Sequence, residues 1–203
     1  MVNVAPGPAW LLALAGGYLI GSIPIADLVA RRGVGVDLRT VGDRNPGYWN
    51  AKDVLGPRAA LPVFIGDAAK GAVAATLGLL LAPTGSWWFG YAAAFAAMVG
   101  HAWPVFSHFR GGRCVLTFAG AVCILSPLSA ALAIVLLLTV TAATHSFAWG
   151  ARCAVFSFPL LQLVVDGPYR TAATGCLMSL IGVRFAMAAV SRRSDLATID
   201  GGG

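Results

Sequence analysis

The sequence predicts an all-α integral membrane protein of about seven transmembrane helices, N-out and C-in, with a long polar cytoplasmic loop after the first helix. Three observations lead there. The 203-residue chain is 58% hydrophobic and only 11% charged, whereas soluble domains carry roughly a quarter charged residues. Its apolar residues fall in runs suited to crossing a bilayer, and continuous helix satisfies every backbone group within such a run. Its basic residues collect between alternate runs, which is the pattern of cytoplasmic loops.

The runs are Ala9–Ala30, Ala59–Ala82, Trp87–Phe106, Val115–Leu125, Leu128–Thr144, Phe147–Val165 and Thr171–Val190. The fourth is short, so a tilted, broken or partly re-entrant segment is expected there. With the N-terminus outside, Arg31, Arg32, Arg39, Arg44, Lys52, Arg58, Arg110, Arg113, Arg152, Arg192 and Arg193 are cytoplasmic, and only Arg170 lies in an outer loop. An even number of crossings would divide these residues between the two sides. Residues 1–193 therefore read as one polytopic membrane domain and 194–203 as a flexible tail.

The net charge of +6 does not indicate nucleic acid, because the basic residues sit in short loops between apolar runs. There they set topology and attract anionic lipids or substrates. Cys114, Cys123, Cys153 and Cys176 form no CxxC pair and read as packing residues. No histidine spacing suits a metal.

Chemistry is expected in the one long connection, Arg31 to Arg58, which contains DLRTVGDRNPGYWNA. Two further segments join it. In GDAAKG, Asp67 and Lys70 are three residues apart and share a helix face, where a charge in a membrane helix must be paired or wet. Lys70 is expected to contact Asp67 or a bound anion. In HAWPVFSHFRGGRCVLT, Pro104 ends or bends the third run. Gly111 and Gly112, between Arg110 and Arg113, are expected to aim backbone amides at an anion. Phosphate suits that arrangement, but the run does not fit GxxxxGK[ST]. Asp67 and Lys70 alone would also suit a small transporter, although no internal repeat is visible.

These segments resemble the acyl-phosphate-dependent glycerol-3-phosphate acyltransferases (PlsY), bacterial seven-helix membrane enzymes, over roughly Tyr18 to Thr117. YLIGSIPIADLVA resembles the family's first helix, with Gly21, Ser22 and Pro24. The loop resembles its first motif, with Asp37, Arg39, Gly42, Asn45, Gly47 and Asn50. GDAAKG keeps Asp67, Lys70 and Gly71. The glycine-rich motif keeps His101, Pro104, Phe106, Gly111 and Gly112. The resemblance implies transfer of a fatty acyl group from acyl phosphate to glycerol 3-phosphate, giving lysophosphatidic acid for phospholipid synthesis at the bacterial inner membrane. An acyl phosphate is already activated, so no cofactor or metal is implied. Arg39 and Asn45 would be catalytic. Ser22, Lys70, His101, Gly111, Gly112 and Arg113 would hold phosphate.

The departures set a competing expectation. Asp43 stands where the family has serine, Arg44 replaces the glycine beside it, and Tyr48 and Trp49 add bulk. Gly-Gly-Lys-Gly becomes Gly111-Gly112-Arg113-Cys114. Beyond Gly182 the family's histidine, asparagine and glutamate are missing, leaving Arg184. On this reading the chain binds a phosphorylated lipid but transfers poorly, as a pseudoenzyme or as a subunit beside a membrane-protein partner.

Overall fold

The computed structural model describes residues 6–200, and all the regular elements among them are helical. They are α1 (Pro6–Gly21), α2 (Ile25–Val34), α3 (Tyr48–Leu55), α4 (Pro57–Leu81), α5 (Trp88–Ala102), a 3-10 turn (Val105–Ser107), α6 (Val115–Leu125), α7 (Pro127–Thr144), α8 (Phe147–Val165) and α9 (Pro168–Asp200). Among the described residues six segments are long and apolar enough to cross a membrane: Gly7–Val34, Pro57–Leu81, Trp88–Ser107, Pro127–Thr144, Phe147–Val165 and Pro168–Ser191. The protein is thus an integral membrane protein of multiple spans. The helix α6 has 11 residues, about 16 Å at 1.5 Å per residue, against a hydrocarbon thickness of about 30 Å.

Two expectations about boundaries change. The first run is not one helix. It breaks between Gly21 and Ile25, because Pro24 has no N–H to continue the ladder and restricts the residue before it. The Leu28 amide then bonds the Pro24 carbonyl at 3.0 Å and starts α2. The segment read as a tail begins as helix: α9 runs to Asp200, and residues 201–203 lie outside the described residues.

Small residues set how closely the helices approach. A Cβ on Gly17 or Gly21, one turn apart in GYLIG, would overlap the carbonyl oxygen of Ala93 or Ala97 on α5. With hydrocarbon all round, close packing of this kind replaces the hydrophobic effect as the force joining helices. Met98, Phe118, Phe158 and Leu177 form the centre of the main core, shared by α5, α6, α8 and α9.

The long loop is folded, with Leu38 fully buried against Ala30, Ala51 and Val63. The Asn50 side chain fastens it. Its Nδ2 donates to the carbonyls of Leu38 (2.8 Å) and Val41 (3.0 Å), while its Oδ1 accepts from the Asp43 amide at 3.2 Å. Gly42 has φ +59°, and a Cβ there would overlap Asn50 Oδ1.

The bundle has two polar ends. At one, Gln162 donates to Tyr91 Oη (2.9 Å) and Ser126 Oγ (2.6 Å), Ser129 to Asp166 (2.7 Å), and Arg170 to the Leu125 carbonyl (2.8 Å). The folded loop, the end of α5 and the middle of α9, at Arg184, meet at the other.

Candidate active site

A small polar cavity opens at this second end, lined by residues of α1, α2, the long loop, α4, α5 and the α5–α6 connection. Its ionisable side chains are Asp27, Arg39, Asp67, Lys70, His101 and Arg110.

The deeper group is buried. The Lys70 Nζ lies 2.8 Å from Asp67 Oδ1 and 3.2 Å from His101 Nδ1, and His101 Nδ1 is 3.6 Å from the same carboxylate oxygen. An ammonium only donates, so His101 Nδ1 accepts and the neutral ring carries its hydrogen on Nε2. A Cβ on Gly112 would overlap that Nε2, so glycine at 112 is what lets the chain pass over the ring. Lys70 meets Asp67, as their spacing requires.

The outer group is centred on Arg39. Its guanidinium donates to Asp27 Oδ2, to Ser107 Oγ at 2.6 Å, to the Arg110 carbonyl at 2.9 Å and to Asp37 Oδ1 at 3.4 Å. Ser107 Oγ also donates to Asp27 Oδ2 at 2.7 Å. One arginine thus ties α2, the long loop and the α5–α6 connection together.

Asp37 is held below the usual carboxylate range, first by the Arg39 amide and then by the charges of Arg39 and Arg31. A depressed pKa stabilises the fold above the unfolded value near 3.8, and the contribution disappears as pH falls through the lower folded value. The stability difference between wild type and Asp37→Asn is therefore expected to be constant from pH 8 to 5 and to shrink only in stronger acid. Thermal unfolding across that range checks this, and a difference that shifts between pH 6 and 8 would contradict it.

Of the residues singled out in the sequence, Arg39, Lys70, His101, Gly111 and Gly112 come together around this cavity. Ser22, Asn45 and Arg113 do not line it. Ser22 Oγ bonds the Tyr18 carbonyl at 2.8 Å within its own helix turn. The Asn45 backbone amide bonds Asp43 Oδ1 at 3.0 Å. Arg113 donates to Asp43 Oδ2 at 2.8 Å and stacks over Phe185.

The glycine turn also differs from the expected anion nest. The Gly111 amide donates to the Ala102 carbonyl (3.1 Å) and the Gly112 amide to the His101 carbonyl (3.0 Å). A turn that folds back on the end of α5 spends its amides there. Its carbonyls are spent too, since Arg184 donates to those of Gly112 at 3.1 Å and Gly111 at 2.7 Å. Arg184, contributed by α9, thus supports the turn from behind.

Two of the reasons for expecting weak transfer, the charge of Asp43 and the bulk of Tyr48 and Trp49, do not hold in this geometry. Asp43 is paired with Arg113 and does not line the cavity. Tyr48 packs on Phe64, and Trp49 packs on Phe147 with Lys52 over its ring, so neither narrows the opening. Sequence reasoning passed over Asp27 and Ser107. A lone carboxylate inside the apolar stretch IPIADLVA was the available signal for Asp27. Ser107 had none, because its partners lie 68 and 80 residues away.

Fold and site together define a multi-span membrane protein with a cationic polar pocket at one end of its helical bundle. The chain belongs to the glycerol-3-phosphate acyltransferase family, whose model matches residues 11–198. A glycerol-3-phosphate acyltransferase of Desulforudis audaxviator is 33% identical over 175 residues, covering 86% of this chain and 87% of the relative. Those of Halalkalibacterium halodurans and Exiguobacterium sibiricum are 41% and 46% identical over 124 and 112 residues, and the chain spans 60% and 53% of their lengths. The fold is similar to crystal structures of PlsY, an integral membrane glycerol 3-phosphate acyltransferase. The glycerol 3-phosphate form gives a TM-score of 0.78 at 28% identity and the lysophosphatidic acid form 0.75 at 26%, each covering 92% of both chains.

Proposed function

We propose that this protein transfers a fatty acyl group from acyl phosphate to glycerol 3-phosphate, forming lysophosphatidic acid in the bacterial inner membrane. What carries the reading is the convergence of Arg39, Lys70, His101 and Arg110 on one cavity at a bundle end, in a chain of this family. The glycerol hydroxyl attacks the acyl carbonyl carbon, the bond from that carbon to the phosphate oxygen breaks, and the hydroxyl proton leaves with phosphate. The protein's part is to hold two anionic substrates together and to stabilise charge developing on the carbonyl oxygen. Lys70 and His101 supply the donors nearest the buried end of the cavity, and Arg39 keeps its walls in register.

The same proposal includes seven crossings, N-out and C-in. Tyr91, Ser126 and Gln162 meet at one end of the bundle, whereas His101, the glycine turn and Arg184 meet at the other. This arrangement supports α6 as a short crossing of its own. Purified protein given palmitoyl phosphate and glycerol 3-phosphate is expected to form lysophosphatidic acid. Consumption of acyl phosphate that is unaffected by glycerol 3-phosphate would contradict the reading.

A further inference from the structure

One short element is built twice at the end of the bundle that carries the folded loop. In α3 the run Trp49-Asn50-Ala51-Lys52 places the Lys52 ammonium over the Trp49 ring, 4.7 Å from its centroid. In α8 the run Trp149-Gly150-Ala151-Arg152 places the Arg152 guanidinium over the Trp149 ring at 5.1 Å. The two elements adjoin, because Trp49 also packs on Phe147, the first residue of α8, with ring centroids 5.5 Å apart. Trp49, Phe147 and Trp149 are 40%, 42% and 56% exposed, and Arg152 is exposed. None of these residues lines the cavity. Their positive charge is not matched within the protein. Arg152 belongs to a segment long and apolar enough to cross a membrane, where a charge needs a partner or water. Among the described residues its guanidinium meets only the Trp149 ring. Long side chains on a helix lean toward its N-terminus, so Arg152 reaches back along α8 toward the end where Lys52 lies, as a snorkelling arginine does. Lys52 has Asp53 at 3.5 Å, a water-exposed pair of the kind that contributes little.

We propose that Lys52 and Arg152 hold the phosphate of an anionic membrane phospholipid, seated against Trp49, Phe147 and Trp149. The chemistry of the patch selects that occupant. Exposed tryptophans at the end of a membrane segment sit at the level of the lipid headgroups. Two cations at that level attract a lipid with net negative charge. A zwitterionic lipid is a poorer fit, because its ammonium would meet the same two cations. The bound lipid bridges α3, which packs mainly on α4, and α8, which packs mainly on α7. The site stands apart from the cavity and does not depend on the acyltransferase reading.

The test titrates phosphatidylglycerol, with phosphatidylcholine as the comparison, onto delipidated full-length protein in detergent and counts retained lipids by native mass spectrometry. Three proteins are compared: wild type, Lys52→Gln/Arg152→Gln, and Arg32→Gln/Arg193→Gln. The last removes an equal charge from exposed positions of α2 and α9. Lys52 and Arg152 are both surface side chains, so their replacement leaves the core intact. Wild type is expected to hold one phosphatidylglycerol about 10-fold or more tighter than phosphatidylcholine. Lys52→Gln/Arg152→Gln should weaken phosphatidylglycerol binding about 10- to 30-fold, the scale of two basic residues at an anionic membrane surface, and leave phosphatidylcholine binding unchanged. Arg32→Gln/Arg193→Gln should match wild type. Inorganic phosphate, at an ionic strength matched with chloride, should not displace the lipid. The proposal is overturned if Lys52→Gln/Arg152→Gln binds phosphatidylglycerol within about twofold of wild type, or if the control pair loses as much. It is overturned equally if wild type does not distinguish the two lipids, or if inorganic phosphate displaces the bound lipid, which would make a free anion the ligand.

Discussion

Replacing Lys70 with methionine is expected to abolish acyl transfer and destabilise the protein at once. Lys70 and Asp67 are both nearly fully buried, 2.8 Å apart. Removing one partner of a buried pair leaves an uncompensated charge and costs about 3–5 kcal/mol. The same change takes from the cavity an ammonium beside His101, and loss of one donor that acts in a transition state lowers rate roughly 100- to 1,000-fold. The two losses separate in the double variant Asp67→Leu/Lys70→Met, because a buried pair replaced by apolar residues is often neutral in stability. Thermal unfolding in detergent should show the double variant recovering most of the lost stability, while its acyl transfer stays absent. Recovered activity would mean that the pair serves only packing.

Gly111→Ala is the second large effect. A Cβ at 111 would overlap the His101 carbonyl oxygen and come within 2.6 Å of Pro104 Cδ. The neighbours are a backbone and a proline ring, so neither can swing aside as a flexible side chain would. The turn must lift from α5, breaking the Gly111–Ala102 and Gly112–His101 hydrogen bonds and moving the carbonyls that Arg184 grips. Displacements of about 1 Å at a reacting centre can lower rate about 100-fold, and a loss of at least that size is expected. Gly33→Ala is the control, since nothing lies within 4 Å of a Cβ there, and it should leave activity unchanged. A Gly111→Ala protein with normal kcat would show that the turn does not shape the reacting centre.

Membrane helices were legible in the sequence because hydrocarbon imposes a length and a composition on any run that crosses it. Six of the seven runs correspond to span-length segments, and the remaining one is the short α6. The break at Pro24 was less visible, since the apolar run continues through it. In the site, Lys70 and Asp67 were legible because their spacing puts them on one helix face. The partners chosen across the fold were not. Asp43 could be judged only against its neighbour Arg44 in sequence, yet it pairs with Arg113, 70 residues away. Likewise the amides of Gly111 and Gly112 were read as open to an anion, because nothing local reveals that the turn folds back onto α5. Arg184 was visible as a family-like arginine, but its hold on the turn depends on how α9 packs.

The most direct test of the central claim measures lysophosphatidic acid and inorganic phosphate together from one reaction of purified wild type with palmitoyl phosphate and glycerol 3-phosphate. The account predicts that both form in equal amounts, that both depend on glycerol 3-phosphate, and that Lys70→Met forms neither. Phosphate release without lysophosphatidic acid, or no product from a folded protein that still binds phosphate, would contradict it.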